Sequence, residues 1–137
     1  MNYTIANSEL KNELIMFDKF NFNNGSKWTL QIGLINFHSK ETLKKKLSTE
    51  SICDKCNITK IADLEHTKKL LKGEIVKWDE VTCDFMIHLY EGDKQVWWAQ
   101  VILYEDSVAL QTEDKVTKKL YGVKIPYSAL DFIKYAR

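Results

Sequence analysis

The 137 residues, 45% hydrophobic and 28% charged, are enough for one domain that encloses a core without disulfides or a structural metal, and they exclude a disordered or fibrous chain. The opening MNYTIANSELKNEL has no basic segment followed by an apolar stretch, and no run reaches the roughly 18 apolar residues of a membrane span, so a cytoplasmic location with no membrane partner is expected. The net charge of +1 hides an uneven distribution: residues 40–78 hold ten Lys against six acids, residues 79–114 hold nine acids against Lys94 alone, and residues 115–137 hold five Lys and Arg137 against Asp131. Such asymmetry concerns partners rather than fold.

In chain order, Ser8 is placed to cap a helix from Glu9 to about Phe20, with Leu10, Leu14 and Phe17 at helical spacing. Asn21, Asn23, Asn24, Gly25 and Ser26 form a turn cluster that ends it. From Lys27 to Phe37, Trp28, Leu30, Ile32 and Leu34 alternate with Thr29, Gln31 and Gly33, the period of a half-buried strand. Ser39 is placed to cap a short helix from Lys40 to Leu47, whose Lys44, Lys45 and Lys46 read as a solvated face. Thr59 is placed to cap another through about Lys72, with Ile61, Leu64 and Leu71 inward and Gly73 as terminator.

Glu74–Trp78 suggests a short edge strand, and a β-meander follows. Its strands run from about Cys83 to Glu91, Gln95 to Tyr104, Ser107 to Thr112 and Lys119 to Ile125, until Pro126 stops the last and Ser128 caps a closing helix. The fold class expected is α+β in a single domain, with N-terminal helices packed on a mostly antiparallel meander sheet and a C-terminal helix closing it.

Register decides which residues of Val96–Gln111 meet the core, because a one-residue slip exchanges the two faces. A two-residue turn at Glu105-Asp106 sets Leu103 against Val108, Val101 against Leu110 and Gln100 against Gln111. The core face is then Trp97, Ala99, Val101, Leu103, Val108 and Leu110. The second face carries Trp98, Gln100, Ile102, Tyr104, Ala109 and Gln111. A three-residue loop Gly92-Asp93-Lys94 in the preceding hairpin adds Met86, His88 and Tyr90 to it. Aromatics of this size more often lie in a core than on a contact surface, so a covering helix is the first expectation for this face. Left open, it has the composition of a binding hot spot or ligand cleft.

No catalytic signature emerges. Cys53, Cys56, His66 and Cys83 match no common zinc spacing, and the polar KKKLSTESI before Cys53 does not suit a thioredoxin-like pair. Three cysteines without a secretion signal suggest reduced thiols, with Cys53 and Cys56 in a surface loop. His38, His66 and His88 lie in no known motif, although a nuclease using His38 or His88 with a Lys is a weaker alternative. The scattered glycines form no phosphate-binding loop. Neither metal nor cofactor is expected. Arg, which reads guanine edges, occurs only at 137, which argues against sequence-specific nucleic-acid binding.

The reading is a non-enzymatic, protein-binding inhibitor of the bacterial toxin-immunity type, neutralising a basic toxin such as a nuclease. Its contact residues are Glu91, Asp93, Glu105, Asp106, Glu113 and Asp114 with Trp98 and Tyr104. The alternative is a ligand-binding or enzymatic α+β cone with a pocket lined by Trp98, Tyr90 and His88, and a third possibility is an assembly subunit pairing through a sheet edge.

Overall fold

Alternation of apolar and polar residues lets a strand bury one face, and it builds most of the structure. In the computed structural model, which describes residues 13–137, eight strands form one antiparallel sheet: β1 (Glu13–Ile15), β2 (Trp28–Ile32), β3 (Cys56–Ile58), β4 (Lys72–Val76), β5 (Phe85–Glu91), β6 (Lys94–Leu103), β7 (Val108–Glu113) and β8 (Leu120–Ile125). Their order across the sheet is β1-β4-β8-β7-β6-β5-β2-β3. Two α-helices, α1 (Phe37–Lys46) and α2 (Ile61–Leu70), and a 3-10 helix over Tyr127–Tyr135 complete the described elements. The fold is α+β with an antiparallel sheet, but its helices do not precede the sheet. They are inserted between β2, β3 and β4, and the last helical element is 3-10 with Pro126, not Ser128, at its N-cap.

The expected helix from Glu9 to Phe20 fails over its described part, and Ser8, Glu9 and Leu10 lie outside the described residues. Glu13–Ile15 pairs with β4, and Met16 N–H donates to Leu71 O at 2.9 Å before a turn begins. Leu14 and Phe17 do reach the core. Their three-residue spacing also suits a strand running into a turn, and β4 satisfies its backbone where a short helix is marginal.

Helix α1 starts earlier than expected because Asn36, not Ser39, is its cap, the Asn36 Oδ1 accepting from the Ser39 amide at 2.8 Å. In α2 Lys60 occupies the N-cap and no side chain caps it, and Ile61 is exposed where an inward position was expected. Leu34 lies beyond β2 and is also exposed. β4 is an inner strand between β1 and β8, so Gly73 sits within a sheet instead of ending a helix.

Leu43 of α1 and its C-cap Leu47, Leu64 of α2 and Leu130, Phe132 and Ile133 of the 3-10 helix share one buried cluster with the inward residues of β2, β5, β6, β7 and β8. Ser39 is buried among them, and its hydroxyl donates to Asp84 Oδ1 at 2.9 Å while Leu103 N–H donates to Asp84 Oδ2 at 2.8 Å. Asp84→Ala leaves both donors without an acceptor, so a loss of about 2–3 kcal/mol is expected in chemical denaturation. A loss below about 1 kcal/mol would show that water replaces the carboxylate at no cost.

The β6–β7 register is the expected one, with Leu103 opposite Val108, Val101 opposite Leu110 and Gln100 opposite Gln111. The β5–β6 loop is not. Glu91 pairs with Lys94, leaving the two-residue turn Gly92-Asp93, in which Gly92 takes the positive φ of 62°. That turn alone would reverse the faces. A bulge restores them: between the pairs Tyr90–Gln95 and Leu89–Trp97, β6 carries one extra residue, Val96.

Candidate functional site

Because of the bulge, His88 pairs with Trp98 and Met86 with Gln100 on the sheet face away from the helices. β2 extends that face through Gln31 beside His88 and Thr29 beside Tyr90. Met86, His88, Tyr90, Trp98 and Gln100 are all half-buried and none belongs to the core cluster. The expected covering helix is therefore not found among the described elements, since all three helical elements pack on the opposite face. The His88 and Tyr90 rings lie 6.4 Å apart, and His88 Nδ1 is buried without a hydrogen-bond partner among the described residues. Burial pushes the His88 pKa down, which keeps the ring neutral near pH 7.

At one corner of this face the segment after β4 folds over β7. Gln111, fully buried, grips it: Asp79 N–H donates to Gln111 Oε1 at 2.7 Å, and Gln111 Nε2 donates to Asp79 O at 3.1 Å. A cavity of about 430 Å³ opens here, with Trp78, Asp79, Tyr104, Gln111 and Lys124 among its walls. This corner was missed in the sequence. Its one signal was Gln111 directly after the apolar run Val108-Ala109-Leu110 of β7, because a buried amide must find partners for both ends.

Tyr104 is 38% exposed, and its hydroxyl donates to Asp79 Oδ2. That hydrogen bond, then burial, then the carboxylate's charge push the phenol from its ordinary 10.0 up to about 12. The folded protein thus holds this proton more tightly than the unfolded chain. The resulting stabilisation is fully present below pH 10 and is lost as pH rises through about 12. In Asp79→Ala, a tyrosinate absorbance titration referenced to Tyr104→Phe should show this phenol returning toward its ordinary value. An unchanged curve would mean that the pair does not form in solution.

The six acidic residues singled out in the sequence are not brought into one patch. Antiparallel pairing puts Glu91 and Asp93, at the β5–β6 turn, at the same end of the sheet as Glu113 and Asp114, at the end of β7. Glu105 and Asp106 lie at the opposite end, where Asp79, Glu80 and Asp84 join them. Two of the six also hold turns. Ser26 Oγ at 2.7 Å and Asn24 Nδ2 at 2.9 Å donate to Glu91 and lower its pKa. The Thr117 and Val116 amides, at 2.9 and 2.8 Å, do the same for Asp114. Among the described residues the ion pairs are Lys40–Asp54, Lys44–Glu41 and Lys134–Asp131, and none involves an acid of residues 79–114.

The cysteines depart from expectation. Cys53 and Cys56 are joined in a disulfide, and Cys83 is free. The spacing brings their Cα atoms to 6.1 Å, within disulfide reach, once β3 starts at Cys56. Among the described residues no group of three or more His, Cys, Asp or Glu side chains converges as a metal site would require. His66 lies instead against the Tyr135 ring, centroids 5.9 Å apart, and His38 is on α1, across the sheet from His88. Trp98, Tyr90 and His88 are not among the walls of the cavity at Trp78 and Tyr104. No described helix is long and apolar enough to cross a membrane.

Comparison of the chain with protein-family models, with curated proteins and with solved structures returns no match.

Proposed function

We propose that the protein is a small cytosolic inhibitor that binds a basic protein, in the manner of a bacterial immunity protein neutralising a nuclease toxin. The observation that carries this reading is a sheet face that none of the described helices covers, a half-exposed row of Met86, His88, Tyr90, Trp98 and Gln100 between two acidic sheet ends. Aromatics that keep part of their surface in water are suited to be anchors in an interface. Carboxylates without an ion partner are suited to steer a basic protein toward them, raising the association rate more than the final affinity.

The test is affinity capture from the native host by the wild type and by the triple charge reversal of Asp93, Glu105 and Asp106 to Lys. No side-chain hydrogen bond or ion pair of these three is found among the described residues, so the reversal should leave the fold intact. A partner rich in Lys and Arg is expected, associating about ten-fold more slowly with the triple variant and more slowly again at raised salt. An acidic partner, or a rate indifferent to both changes, overturns the electrostatic reading.

The cavity beside Trp78 and Tyr104 favours a second reading, a small-molecule site. A compound that perturbs the Tyr104 phenol titration and saturates at one equivalent would support it.

A further inference from the structure

Exposure is sharply divided in the loop that holds the disulfide. Ile52 and Cys56 are anchored in the core at 8% and 2% exposure, whereas Cys53, Asp54 and Lys55 between them face solvent. Cys56 opens β3, pairing across to Ile32 of β2. On the other side of β3, Asn57 exchanges two backbone hydrogen bonds with Arg137, at 2.9 and 3.0 Å. The loop itself is tied down where Ile35 N–H donates to Asp54 O at 3.1 Å and the Asp54 carboxylate pairs with Lys40.

A crosslink between residues only three apart in sequence removes little entropy from the unfolded chain compared with one that closes a long loop. Its value as a staple is correspondingly small. What distinguishes this disulfide is that one sulfur belongs to a solvent-facing residue and the other to a buried one, an arrangement that lets a dissolved thiol choose between them.

We propose that Cys53–Cys56 is a thiol–disulfide exchange site for small cellular thiols of the glutathione class, with Cys53 as the sulfur attacked. The incoming thiolate bonds to Cys53 Sγ as the Cys53–Cys56 bond breaks, and the electron pair leaves on Cys56 Sγ, which takes a proton from solvent. The product is a mixed disulfide at Cys53 and a buried Cys56 thiol. A second thiolate attacks the outer sulfur of that mixed disulfide and releases Cys53 as a thiol. Two small thiols are thereby oxidised to one disulfide while the protein disulfide is reduced to two thiols. In reverse, Cys56, held beside Cys53 by β3, displaces the small thiol and re-forms the bridge.

The test uses the full chain with Cys83→Ser, equilibrated in reduced and oxidised glutathione, quenched in acid and mapped by mass spectrometry. The expected result is reversible gain and loss of two hydrogens, with the glutathione adduct trapped at Cys53. Adding Cys56→Ser should let Cys53 take up glutathione about ten-fold or more faster than Cys56 does when Cys53→Ser is added instead. Trapping at Cys56, comparable rates in the two variants, or a bridge that glutathione neither opens nor closes would overturn the proposal. If Cys56→Ser does not fold, the site of trapping with both cysteines present decides alone.

Discussion

Gly73→Ala should destabilise the protein by about 3 kcal/mol, the upper range for overpacking, although it adds one methyl group. A β-carbon at this position would lie 1.9 Å from Lys124 O and 3.0 Å from Lys124 C, both backbone atoms of β8. No rotamer change can relieve that contact, so β4 and β8 would have to separate. The pairs Glu74–Lys124 and Ile75–Val123 would weaken, and with them the attachment of β1, which is hydrogen-bonded to β4. Gly122 is the internal control. There the one tight neighbour of an added β-carbon is Val76 Cγ2 at 3.1 Å, a side-chain atom that can yield, while Gln111 Cγ and Lys77 O, both at 3.7 Å, are at ordinary contact distance. Gly122→Ala should therefore cost about 1 kcal/mol. Urea denaturation of both variants measures the difference, and equal losses would mean that β4 does not approach β8 so closely.

The second large effect separates two adjacent tryptophans. Trp97 is 9% exposed and stands edge-on to Phe17 with ring centroids 4.8 Å apart, so Trp97→Ala should cost about 3–5 kcal/mol in a thermal melt. Trp98 lies half-buried on the face opposite the described helices, and Trp98→Ala should cost only about 1–2 kcal/mol. If that face is the contact surface, the same Trp98→Ala variant should weaken partner binding by about 30-fold, the size of a hot spot. Equal stability losses at the two positions would indicate that the Val96 bulge does not set the faces as described.

The bulge also marks how far the sequence could be read. The four strands of the meander are legible to within a few residues, and the β6–β7 register is legible because only one pairing sorts apolar from polar side chains across the Glu105-Asp106 turn. The second face has the members that the alternation implies, but a different turn puts them there. A three-residue loop was expected, and a two-residue turn followed by one extra residue gives the same pairing of His88 with Trp98. A bulge of this kind has no local signature, since Val96 and Trp97 are both buried and read as one apolar run.

The chain by itself determined what depends on near neighbours: the α+β class, the antiparallel meander, the turns and the concentration of carboxylates in residues 79–114. Alternation and turn chemistry act over two to five residues, and such signals survive in a linear sequence. Tertiary structure alone decided what depends on distant partners. Glu13–Ile15 became a strand because β4 lay beside it, Gly73 was required by the approach of Lys124, and Gln111 found both amide partners on Asp79. The same long-range pairing divided one acidic stretch of sequence between two ends of the sheet, because each hairpin turn returns the chain to the end it came from.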